Sequence, residues 1–383
     1  LHSLRRRQRQ MCIRDRSYAI DTGFIVFNDW TYPNFIKLMD QVGVRSKATE
    51  MSFSVHDTES NLEYNGNTLN SLFAQRSNLL SPGFWGMLRD ILRFNRQAIR
   101  DLDEQRIASD TRLGDYLQQQ GYGSRFIEHY IVPMGAAIWS MSLADMLTFP
   151  LQFFVRFFKN HGLLSVSNRP QWRVIEGGSS AYVQPLSAGF ADRIRLNCPV
   201  IQVVRTEQGV QVHSAGGTEH FDKVIFACHS DQALSLMADP SSAEQQILGA
   251  MPYAENDVVL HTDTRLLPDR KLAWASWNYR LGAAGQKRAA VTYDMNILQG
   301  IQSETTFCVS LNQTSAIDPF KVLARFNYAH PQYSLDAIAA QARWQELLGA
   351  RHSYFCGAYW ANGFHEDGVV SALRVAQAFG RQL

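Results

Sequence analysis

The stretch YWANGFHEDGVVSAL, residues 359–373, places a glycine, an aromatic ring, a histidine and two acids directly before a run of small residues with helical character. Three interpretations of it are open. Asp367 and Gly368 are typical of a capped helix start. His365, Glu366 and Asp367 carry metal-ligating groups, but adjacent residues point in different directions and no second His/Cys cluster accompanies them. Alternatively, the N–H groups and dipole of the helix start hold an electronegative part of a ligand, which Gly368 allows to approach closely.

The size and composition of the chain indicate a globular protein. Its 383 residues suit two domains or one elaborated domain, and 45% are hydrophobic while 19% are charged. The longest apolar cluster, residues 148–158, is interrupted by Gln152 and Arg156 and is too short to cross a bilayer. The sequence therefore predicts no transmembrane segment and leaves peripheral membrane contact open.

The positive charge of the chain is concentrated in residues 1–16, which hold six arginines and one aspartate. Without them, 31 basic residues stand against 34 acidic ones, so residues 17–383 have a formal net charge of −3. The segment lacks interleaved aromatic residues and helical amphipathicity, and it resembles a translated sequencing adapter. We therefore expect residues 1–16 to be non-native and to have no role in the fold, and we expect no nucleic-acid partner.

Cysteine usage indicates a reducing compartment. Five cysteines stand at positions 12, 198, 228, 308 and 356, and none forms a CxxC or another short paired spacing. This pattern predicts neither a zinc site nor a disulfide framework, and a cytoplasmic location is the expectation.

In the first half of the chain, a β-rich start is followed by a helical block. Residues 31–44 read as a helix and are followed by a pair of strands. Residues 82–103 are predicted to be helical, with Phe84, Leu88, Ile91 and Leu92 on one face. Helices continue to residue 158. From residue 172 a strand, a Gly-Gly turn and a helix precede short alternating strands, and residues 251–314 again look sheet-forming.

Four segments, in order along the chain, resemble the flavin-dependent amine oxidase family, which includes monoamine oxidases, phytoene desaturases and protoporphyrinogen oxidase. Within that family the chain looks most like a bacterial subgroup of predicted NAD/FAD-binding proteins. The segments are IDTGFIVFNDWTYPNFIKLMDQVGV (20–44), VIEGGSSAYVQPL (174–186), LNCPVIQVV with HFDKVIFACHSDQAL (196–204 and 220–234), and the stretch after Cys356-Gly357 that contains HEDGVV. The resemblance runs from about Tyr18 onward.

The resemblance implies an α/β fold with a discontinuous, Rossmann-like FAD-binding domain of the GR2 type and an α+β substrate domain. The expected FAD-binding parts are 17–50, 170–240 and 350–383, and the substrate domain comprises 51–169 and 241–349. The family begins with a βαβ unit whose GxGxxG turn cradles the pyrophosphate. Since no such motif precedes Tyr18, we expect the chain to be a fragment that lacks this unit.

The resemblance also implies FAD as the cofactor, no metal, and a set of site residues. A helix N-terminus at Gly368-Val369 would stabilise the charge that develops on reduced flavin, and the Val200 backbone would meet the adenine. Phe364 and His365 would face the flavin ring as a wall or a proton-handling group, or else form a packed aromatic beside a capping histidine. The expected cofactor-binding residues are Asp21, Thr22, Gly23, Phe24, Pro199, Val200, Ala227, Gly357, Asp367, Gly368 and Val369.

The implied activity is transfer of a hydride from a carbon of a small-molecule substrate to flavin N5. Many family members place a lysine near N5, but the candidate in this sequence, Lys271, lies in a charged turn, which weakens amine oxidation specifically. If Phe153, Phe154, Phe157 and Phe158 line a cavity instead of the core, the substrate is apolar and a desaturase or isomerase of a lipid or polyene is the alternative. A non-catalytic binding protein that keeps the flavin fold is a third hypothesis. The sequence indicates neither the electron acceptor nor the oligomeric state.

Overall fold

The computed structural model describes residues 8–13, 16–282 and 289–383. The strands are β1 (Gln8–Ile13), β2 (Arg16–Asp21), β3 (Val26–Asn28), β4 (Ser46–Ala48), β5 (Phe53–Asp57), β6 (Leu62–Asn65), β7 (Trp172–Ile175), β8 (Val200–Thr206), β9 (Gly209–Ser214), β10 (Gly217–Phe221), β11 (Val224–Phe226), β12 (Tyr253–His261), β13 (Trp277–Leu281), β14 (Val291–Asp294), β15 (Cys308–Leu311), β16 (Val322–Pro331) and β17 (Ser353–Phe355).

Among the described residues, seven of the α-helices follow one another between β6 and β7, and the others lie between or after the remaining strands. The α-helices are α1 (Pro33–Gln41), α2 (Leu69–Leu72), α3 (Pro82–Asp103), α4 (Leu113–Gln119), α5 (Ser124–Phe126), α6 (Val132–Trp139), α7 (Leu143–Leu147), α8 (Leu151–Asn160), α9 (Val183–Ser187), α10 (Ser230–Leu236), α11 (Ser242–Gly249), α12 (Met295–Leu298), α13 (Leu335–Ala342) and α14 (His365–Ala378), and a π-helical turn, Ile127–Ile131, joins α5 to α6. In the part of the chain that is described, no helix has the length and apolar character needed to span a bilayer.

A seven-stranded sheet forms the largest β element. Its strand order is β16-β12-β15-β14-β13-β5-β6, and every neighbouring pair is antiparallel except β13 with β5. The strand pair predicted after the first helix and the strands predicted within residues 251–314 are therefore confirmed as parts of one sheet. The main hydrophobic core joins this sheet to the helical block between residues 82 and 158.

Helix α3 confirms the helix predicted for residues 82–103, but its buried face differs from the prediction. Phe84, Met87 and Phe94 are buried, whereas the side chain of Leu92 is 45% exposed. A helical stripe that begins at Phe84 continues through positions three or four residues apart, and Leu92 falls beside that stripe. The prediction that Leu92 shares the buried face was wrong.

A smaller layer positions the C-terminal helix. Strands β3, β7 and β4 form an antiparallel sheet, and α1 packs on it through a cluster that contains Phe27, Phe35 and Ile175. Phe364 and Val369 of the C-terminal region pack against the same cluster. The first turns of α14 therefore rest on the layer that contains the first two family-like segments.

A third region combines a hairpin sheet with a parallel strand pair. Strands β8, β9 and β10 form an antiparallel sheet, and β11 pairs in parallel with β17 in the register Phe226 with Phe355. Phe226, Phe355 and Trp360 share a hydrophobic cluster with helices α10, α11 and α13. The predicted combination of helices and strands is confirmed, while the predicted domain division stays a prediction.

Candidate functional site

Helix α14 begins at His365, three residues before the position expected from the sequence. The Oδ2 atom of Asp367, the third residue of the helix, accepts a hydrogen bond of 2.9 Å from the backbone N–H of Phe364. An acid at this position satisfies the backbone just ahead of the helix and interacts favourably with the helix dipole. The prediction of a helix N-terminus at Gly368-Val369 was therefore wrong in position, because the cap forms around Phe364 and Asp367.

Gly368 lies in the first turn of α14 and faces open space. Its N–H donates to the carbonyl of Phe364 at 3.1 Å, so the donors without a partner inside the helix belong to the residues before it. A Cβ built on Gly368 would meet no atom within 4 Å. Packing of the protein therefore does not require glycine here, and a bound group has room to approach the helix. Val369 follows as a partly buried residue of the neighbouring hydrophobic cluster.

Asp367 is a half-buried carboxyl group at the centre of this turn. Burial raises its pKa to about 6, against the opposing effect of the hydrogen bond from the Phe364 N–H. Its Oδ1 atom also accepts a hydrogen bond of 3.4 Å from Asn362 Nδ2. The group is therefore held by local donors and changes protonation close to neutral pH.

Glu366 points away from Asp367 and joins α14 to α1. One of its carboxylate oxygens accepts from the N–H of Asn34 at 3.1 Å and from Asn34 Nδ2 at 2.6 Å, and the other accepts from the N–H of Phe35 at 2.8 Å. The carboxylate thus caps the N-terminus of α1, whose own sequence provides no acid in its first turn. Sequence reasoning missed this role, because nothing local connects residue 366 with residue 34.

The histidine and acids of the HED triplet do not converge on a metal site. Among the described residues, the group whose ligand atoms lie close enough together for an ion is His56, Glu63 and Asp269. Glu63 already accepts hydrogen bonds from the backbone N–H of Asp269 at 2.6 Å and from the Arg270 guanidinium at 2.9 Å. Its charge is therefore balanced by the protein itself.

The turn after β2 is tied to the Gly-Gly turn of the second family-like segment. The carboxylate of Asp21 accepts from the N–H of Ser179 at 2.9 and 3.0 Å and from Gln299 Nε2 at 2.9 Å. The Ser179 hydroxyl donates to the Phe24 carbonyl at 2.7 Å. Burial raises the pKa of Asp21 to about 7, against the hydrogen bonds from Ser179. The first two family-like segments, separated by some 158 residues, therefore meet at one buried carboxyl group.

The residues between Asp21 and Phe24 complete this turn. Thr22 is buried, and its hydroxyl lies 2.7 Å from the hydroxyl of Tyr328 on β16, while Gly23 is half-buried. Phe24 has a φ of 55°, a left-handed backbone conformation that is uncommon outside glycine. The turn is therefore fixed from both the small layer and the seven-stranded sheet.

Phe364 and His365 lie side by side in sequence but contact different neighbours. The His365 ring is 5.0 Å from Phe24 and 4.6 Å from Phe35, measured between ring centroids, and His365 is buried. The Phe364 ring stacks on Phe157 of α8 at 5.2 Å. The structure therefore brings His365 to the turn that follows Asp21, and Phe364 to the aromatic helical block.

Gly357 and Ala227 occupy the carboxyl end of the parallel strand pair. Ala227 follows β11 and is exposed, and the N–H of Cys356, which follows β17, donates to the Phe226 carbonyl at 3.0 Å. The N–H of Gly357 donates to Ser371 Oγ at 2.9 Å, which ties this end to α14. Ligands of α/β proteins bind at the carboxyl ends of parallel strands. The third and fourth family-like segments therefore meet at such an edge.

Pro199 and Val200 lie at the beginning of β8 and are exposed. Val200 pairs with Ser214 of β9, and an irregularity in the register follows it. Within the described part of the chain, no hydrogen bond or ring contact joins Pro199 or Val200 to Asp21 or to α14. Their proposed contact with adenine therefore stays a prediction.

Two buried tyrosine hydroxyls near the start of α14 lack hydrogen-bond partners among the described residues. Tyr32 and Tyr333 are 1% and 4% exposed, and neither hydroxyl is satisfied. Burial raises the pKa of both, with a further contribution from the charge of Asp367. The Tyr333 hydroxyl lies 2.7 Å from the place a Cβ on Gly363 would take. Because a buried hydroxyl without a partner destabilises the protein, both groups fit a site that receives a polar ligand.

The phenylalanine-rich segment 148–158 belongs mainly to the core. Phe154 and Phe158 are fully buried and stack at 4.0 Å, and Phe157 is 4% exposed. Phe153 differs, since it is half-buried and stacks on Tyr333 at 5.2 Å. Of the four phenylalanines expected to line a cavity, Phe153 is the one that stacks on Tyr333, and the fully buried Phe149 of the same segment lies edge-on to that ring at 6.4 Å.

Lys271 is exposed in a 3₁₀ turn, Lys271–Ala273, and its ammonium group lies 5.7 Å from the ring centroid of Trp274. In the residues that the structure describes, no hydrogen bond, ion pair or ring contact joins Lys271 to α14. The structure therefore provides no argument for this lysine as a site residue.

Comparison with known proteins identifies a family and several solved structures that the chain resembles. The family described as flavin containing amine oxidoreductase matches residues 9–294. No match was found among curated protein sequences. Among solved structures, an engineered putrescine oxidase is 14% identical over 98% of this chain and 91% of its own, with a TM-score of 0.63.

Two further solved structures have similar coverage. A putative protoporphyrinogen oxidase from Exiguobacterium sp. is 14% identical over 97% of this chain and 90% of its own, with a TM-score of 0.65. A CLA-producing fatty acid isomerase from P. acnes is 10% identical over 97% and 89%, with a TM-score of 0.65. At these identities the likeness concerns the fold.

Proposed function

We propose that this chain, which belongs to the flavin-containing amine oxidoreductase family and is therefore a FAD-dependent oxidoreductase, removes a hydride or its equivalent from a carbon of a small-molecule substrate. When bound, FAD supplies the acceptor position at N5 and the redox chemistry. The protein binds and orients the reacting groups and excludes water from them. The FAD-binding part is proposed to comprise 17–50, 170–240 and 350–383, and the substrate part 51–169 and 241–349.

The observation that carries this proposal is the convergence at the start of α14. The helix offers its first-turn N–H groups and the positive end of its dipole, and the space beside Gly368 is open. The hydroxyls of Tyr32 and Tyr333 lack partners nearby. An isoalloxazine has a polar edge that accepts hydrogen bonds and gains negative charge on reduction, so this donor set fits the group.

Individual residues are assigned roles from their positions. Phe364 and His365 are proposed to face the flavin ring, and His365, buried between Phe24 and Phe35, would act mainly by shape. Because the pKa of Asp367 is raised to about 6, its carboxyl group beside the helix start changes charge close to neutral pH. The residues proposed to contact FAD are Asp21, Thr22, Gly23, Phe24, Pro199, Val200, Ala227, Gly357, Asp367, Gly368 and Val369.

A desaturase or isomerase of an apolar lipid or polyene is the second candidate. The half-buried ring of Phe153, the ring of Tyr333 stacked on it and the ring of Phe364 give the neighbourhood of the helix start an aromatic character. An exposed Lys271 removes the basic residue that would have favoured amine oxidation. In this candidate the unpartnered hydroxyl of Tyr333 serves the substrate and not the isoalloxazine, and an aromatic wall with one such hydroxyl suits a long apolar substrate that carries one polar group.

Purification and reduction test the proposal. We expect the protein, reconstituted with FAD, to be yellow, with an absorbance band near roughly 450 nm that bleaches under dithionite and under anaerobic addition of a substrate. Parallel screens of primary amines and unsaturated fatty acids separate the two candidates. A preparation that binds flavin but is bleached only by dithionite would favour the non-catalytic binding protein, and a colourless one would overturn the proposal.

The cellular location is proposed to be cytoplasmic. Among the described residues, the thiols of Cys198, Cys228, Cys308 and Cys356 are not joined in disulfides. Burial raises the pKa of Cys308 above its ordinary value and that of Cys356 to about 11, so both remain protonated at neutral pH. Unpaired thiols of this kind are compatible with a reducing compartment.

A further inference from the structure

One surface of the helical block holds large apolar side chains in solvent. It runs from α2 through the 3₁₀ turn Arg76–Leu80 to the middle of α3, and we call it the Leu80 face. Its exposed apolar side chains are Leu80 at 89%, Leu69 at 78%, Trp85 at 50%, Leu79 at 47% and Leu92 at 45% of full exposure. Isolated exposed leucines are ordinary, but five exposed large apolar residues within 24 positions of the chain are a concentration that calls for a partner.

The Leu80 face is held in a fixed arrangement. The indole N–H of Trp85 donates to the Leu79 carbonyl at 2.9 Å, and the Trp85 ring lies 5.4 Å from the ring of Phe73. The Ser81 hydroxyl accepts from the N–H of Phe84, which caps α3 directly after Leu80. The turn that presents Leu79 and Leu80 is therefore anchored to the helix on its C-terminal side.

Arginines alternate with the apolar residues along the exposed side of α3. Trp85, Arg89, Leu92 and Arg96 are spaced by four, three and four residues, which places them on one side of the helix. Arg76, Arg89 and Arg96 are exposed, and in the described part of the chain none of them forms an ion pair with a carboxylate. Their guanidinium groups have no acidic partner, although Arg76 donates to the Phe73 carbonyl at 2.8 Å and to Asn70 Oδ1 at 2.7 Å, and Arg96 donates to the Leu92 carbonyl at 3.1 Å. Each guanidinium group has five N–H donors, so further donors remain for a ligand.

The charge of this region is opposite to that of the rest of the protein. Residues 69–100 contain five arginines and one acid, Asp90, which is a net charge of +4, while residues 17–383 as a whole carry −3. Asp90 is buried and lies 3.5 Å from Arg93, so it does not offset the exposed arginines. The Leu80 face therefore combines protruding apolar side chains with positive charge. The exposed acids that follow at the end of α3, Asp103 and Glu104, are paired with Lys159 and Arg106.

We propose that the Leu80 face docks on the surface of an anionic lipid bilayer. Leu79, Leu80 and Trp85 would enter the boundary between headgroups and acyl chains, and Arg76, Arg89 and Arg96 would pair with lipid phosphates. Phosphates are recognised well by guanidinium groups, and an indole suits the membrane interface. A second copy of the chain is a poorer occupant, because a two-fold contact between identical faces would oppose arginines to arginines.

Co-sedimentation with vesicles tests the proposal without reference to catalysis. The full chain is mixed with vesicles of phosphatidylcholine containing one quarter phosphatidylglycerol, and with vesicles of phosphatidylcholine alone. We expect binding to the anionic vesicles that weakens with added salt. The triple variant L79S/L80S/W85S should lose at least about tenfold in partitioning, a loss of about 1.4 kcal/mol.

Two further variants sharpen the test. R76Q/R89Q/R96Q should bind anionic vesicles more weakly than the unchanged protein, because it lacks three of the charges that would pair with lipid phosphates. The six arginines of residues 1–16 are present in every variant, so they do not contribute to this difference. Phe320→Ser is the matched control, since Phe320 is 99% exposed in a different region, and it should bind like the unchanged protein. Circular dichroism verifies that each variant is folded.

Three outcomes would overturn the proposal. They are no binding of the unchanged protein to anionic vesicles, equal binding to neutral vesicles, and binding that L79S/L80S/W85S leaves intact. Light scattering accompanies each measurement. Association of the chain with itself that is abolished by L79S/L80S/W85S, without vesicle binding, would assign the Leu80 face to a second copy instead of a membrane.

Discussion

Gly368 is the residue whose substitution tests the proposed flavin site most directly. Its first-turn position in α14 and the open space beside it allow a ligand to come closer to the helix backbone than any side chain would permit. We expect Gly368→Val to lower the affinity for FAD at least about tenfold. The melting temperature of the flavin-free protein should change by no more than about 2 °C, because valine is no worse than glycine within a helix. Flavin fluorescence titration and thermal denaturation measure the two effects.

Gly357 provides the contrasting control. A Cβ there would lie 2.4 Å from the ring of Tyr359, so Gly357→Ala forces a buried ring to move and should lower the melting temperature. If Gly368→Val instead destabilised the protein while leaving FAD occupancy intact, the open space beside Gly368 would have no role in binding.

The raised pKa of Asp21 makes the stability of the protein depend on pH. Its pKa in the folded protein is about 7, above the ordinary 3.8, because burial disfavours the charged form. The native state therefore holds this proton more tightly than the unfolded state, and the stability that it contributes is present below pH 4 and is lost as pH rises through 7. Asp21→Asn cannot titrate, so its free energy of unfolding minus that of the unchanged protein should rise by about 3 kcal/mol from pH 4.5 to 7.5.

Urea denaturation of the flavin-free protein at several pH values measures this difference. Asp367, whose pKa is raised to about 6, titrates in both proteins, so its contribution drops out of the comparison. Asp21→Asn also alters the hydrogen bonds to Ser179 and Gln299. A loss of stability from this cause that is the same at every pH does not change how the difference in unfolding free energy varies with pH. A difference that is flat between pH 4.5 and 7.5 would mean that Asp21 is charged throughout the range.

At the scale of elements, one carboxylate couples the first helix to the last. Glu366 accepts two backbone N–H groups of α1 and the Asn34 side chain. Glu366→Ala leaves these donors without a protein partner, and we expect the free energy of unfolding to fall by about 2–3 kcal/mol. Glu366→Gln keeps an acceptor and should lose about 1 kcal/mol. Urea denaturation monitored by circular dichroism measures both.

Glu346 is the matched control for this pair of variants. It forms a two-pronged pair with Arg343 at 2.6 and 2.7 Å, but both side chains are exposed. Glu346→Ala should therefore leave stability unchanged. Equal losses for Glu346→Ala and Glu366→Ala would show that removal of any carboxylate, and not the cap on α1, explains the effect.

The elements also show what sequence patterns can and cannot predict. Helix α3 and the strands β5 and β6 were predictable because their apolar spacing and turn residues are local. The start of α14 was misplaced, because an acid at the third helical position can cap from inside the helix as readily as a residue ahead of it. The motifs containing Asp21, Phe24 and His365 were recognised, whereas the partners that hold them were not. Gln299 lies 278 residues from Asp21, and no local signal marks it.

At the scale of the whole molecule, the candidate site lies where separate cores meet. Phe364 packs against both the main core and the cluster of the small layer, and Ser371 ties α14 to the end of β17 through Gly357. A ligand at the start of α14 would therefore contact parts of the chain that are distant in sequence. Such a ligand stabilises the folded protein by mass action, by about 2.7 kcal/mol at a concentration one hundred times its dissociation constant.

The segment expected to be non-native, residues 1–16, contributes β1 to a small separate sheet. Within the described residues, β1 pairs only with β2, in a two-stranded antiparallel sheet that no further strand joins. An isolated pair of strands is marginally stable in water, and Asp21 at the end of β2 is held independently by Ser179 and Gln299.

We therefore expect deletion of residues 1–16 to leave the melting temperature within about 2 °C of the original value. The rise in melting temperature with added FAD should be equally unaffected, because that segment contributes no candidate site residue. Thermal denaturation over a series of FAD concentrations measures both quantities in one experiment. Gly368→Val is measured in parallel, and its melting temperature should rise less with added FAD. This smaller rise would show that the assay detects a damaged site. If the deletion abolishes the FAD-dependent rise, then β1 supports the turn at Asp21, and residues 1–16 belong to the functional protein.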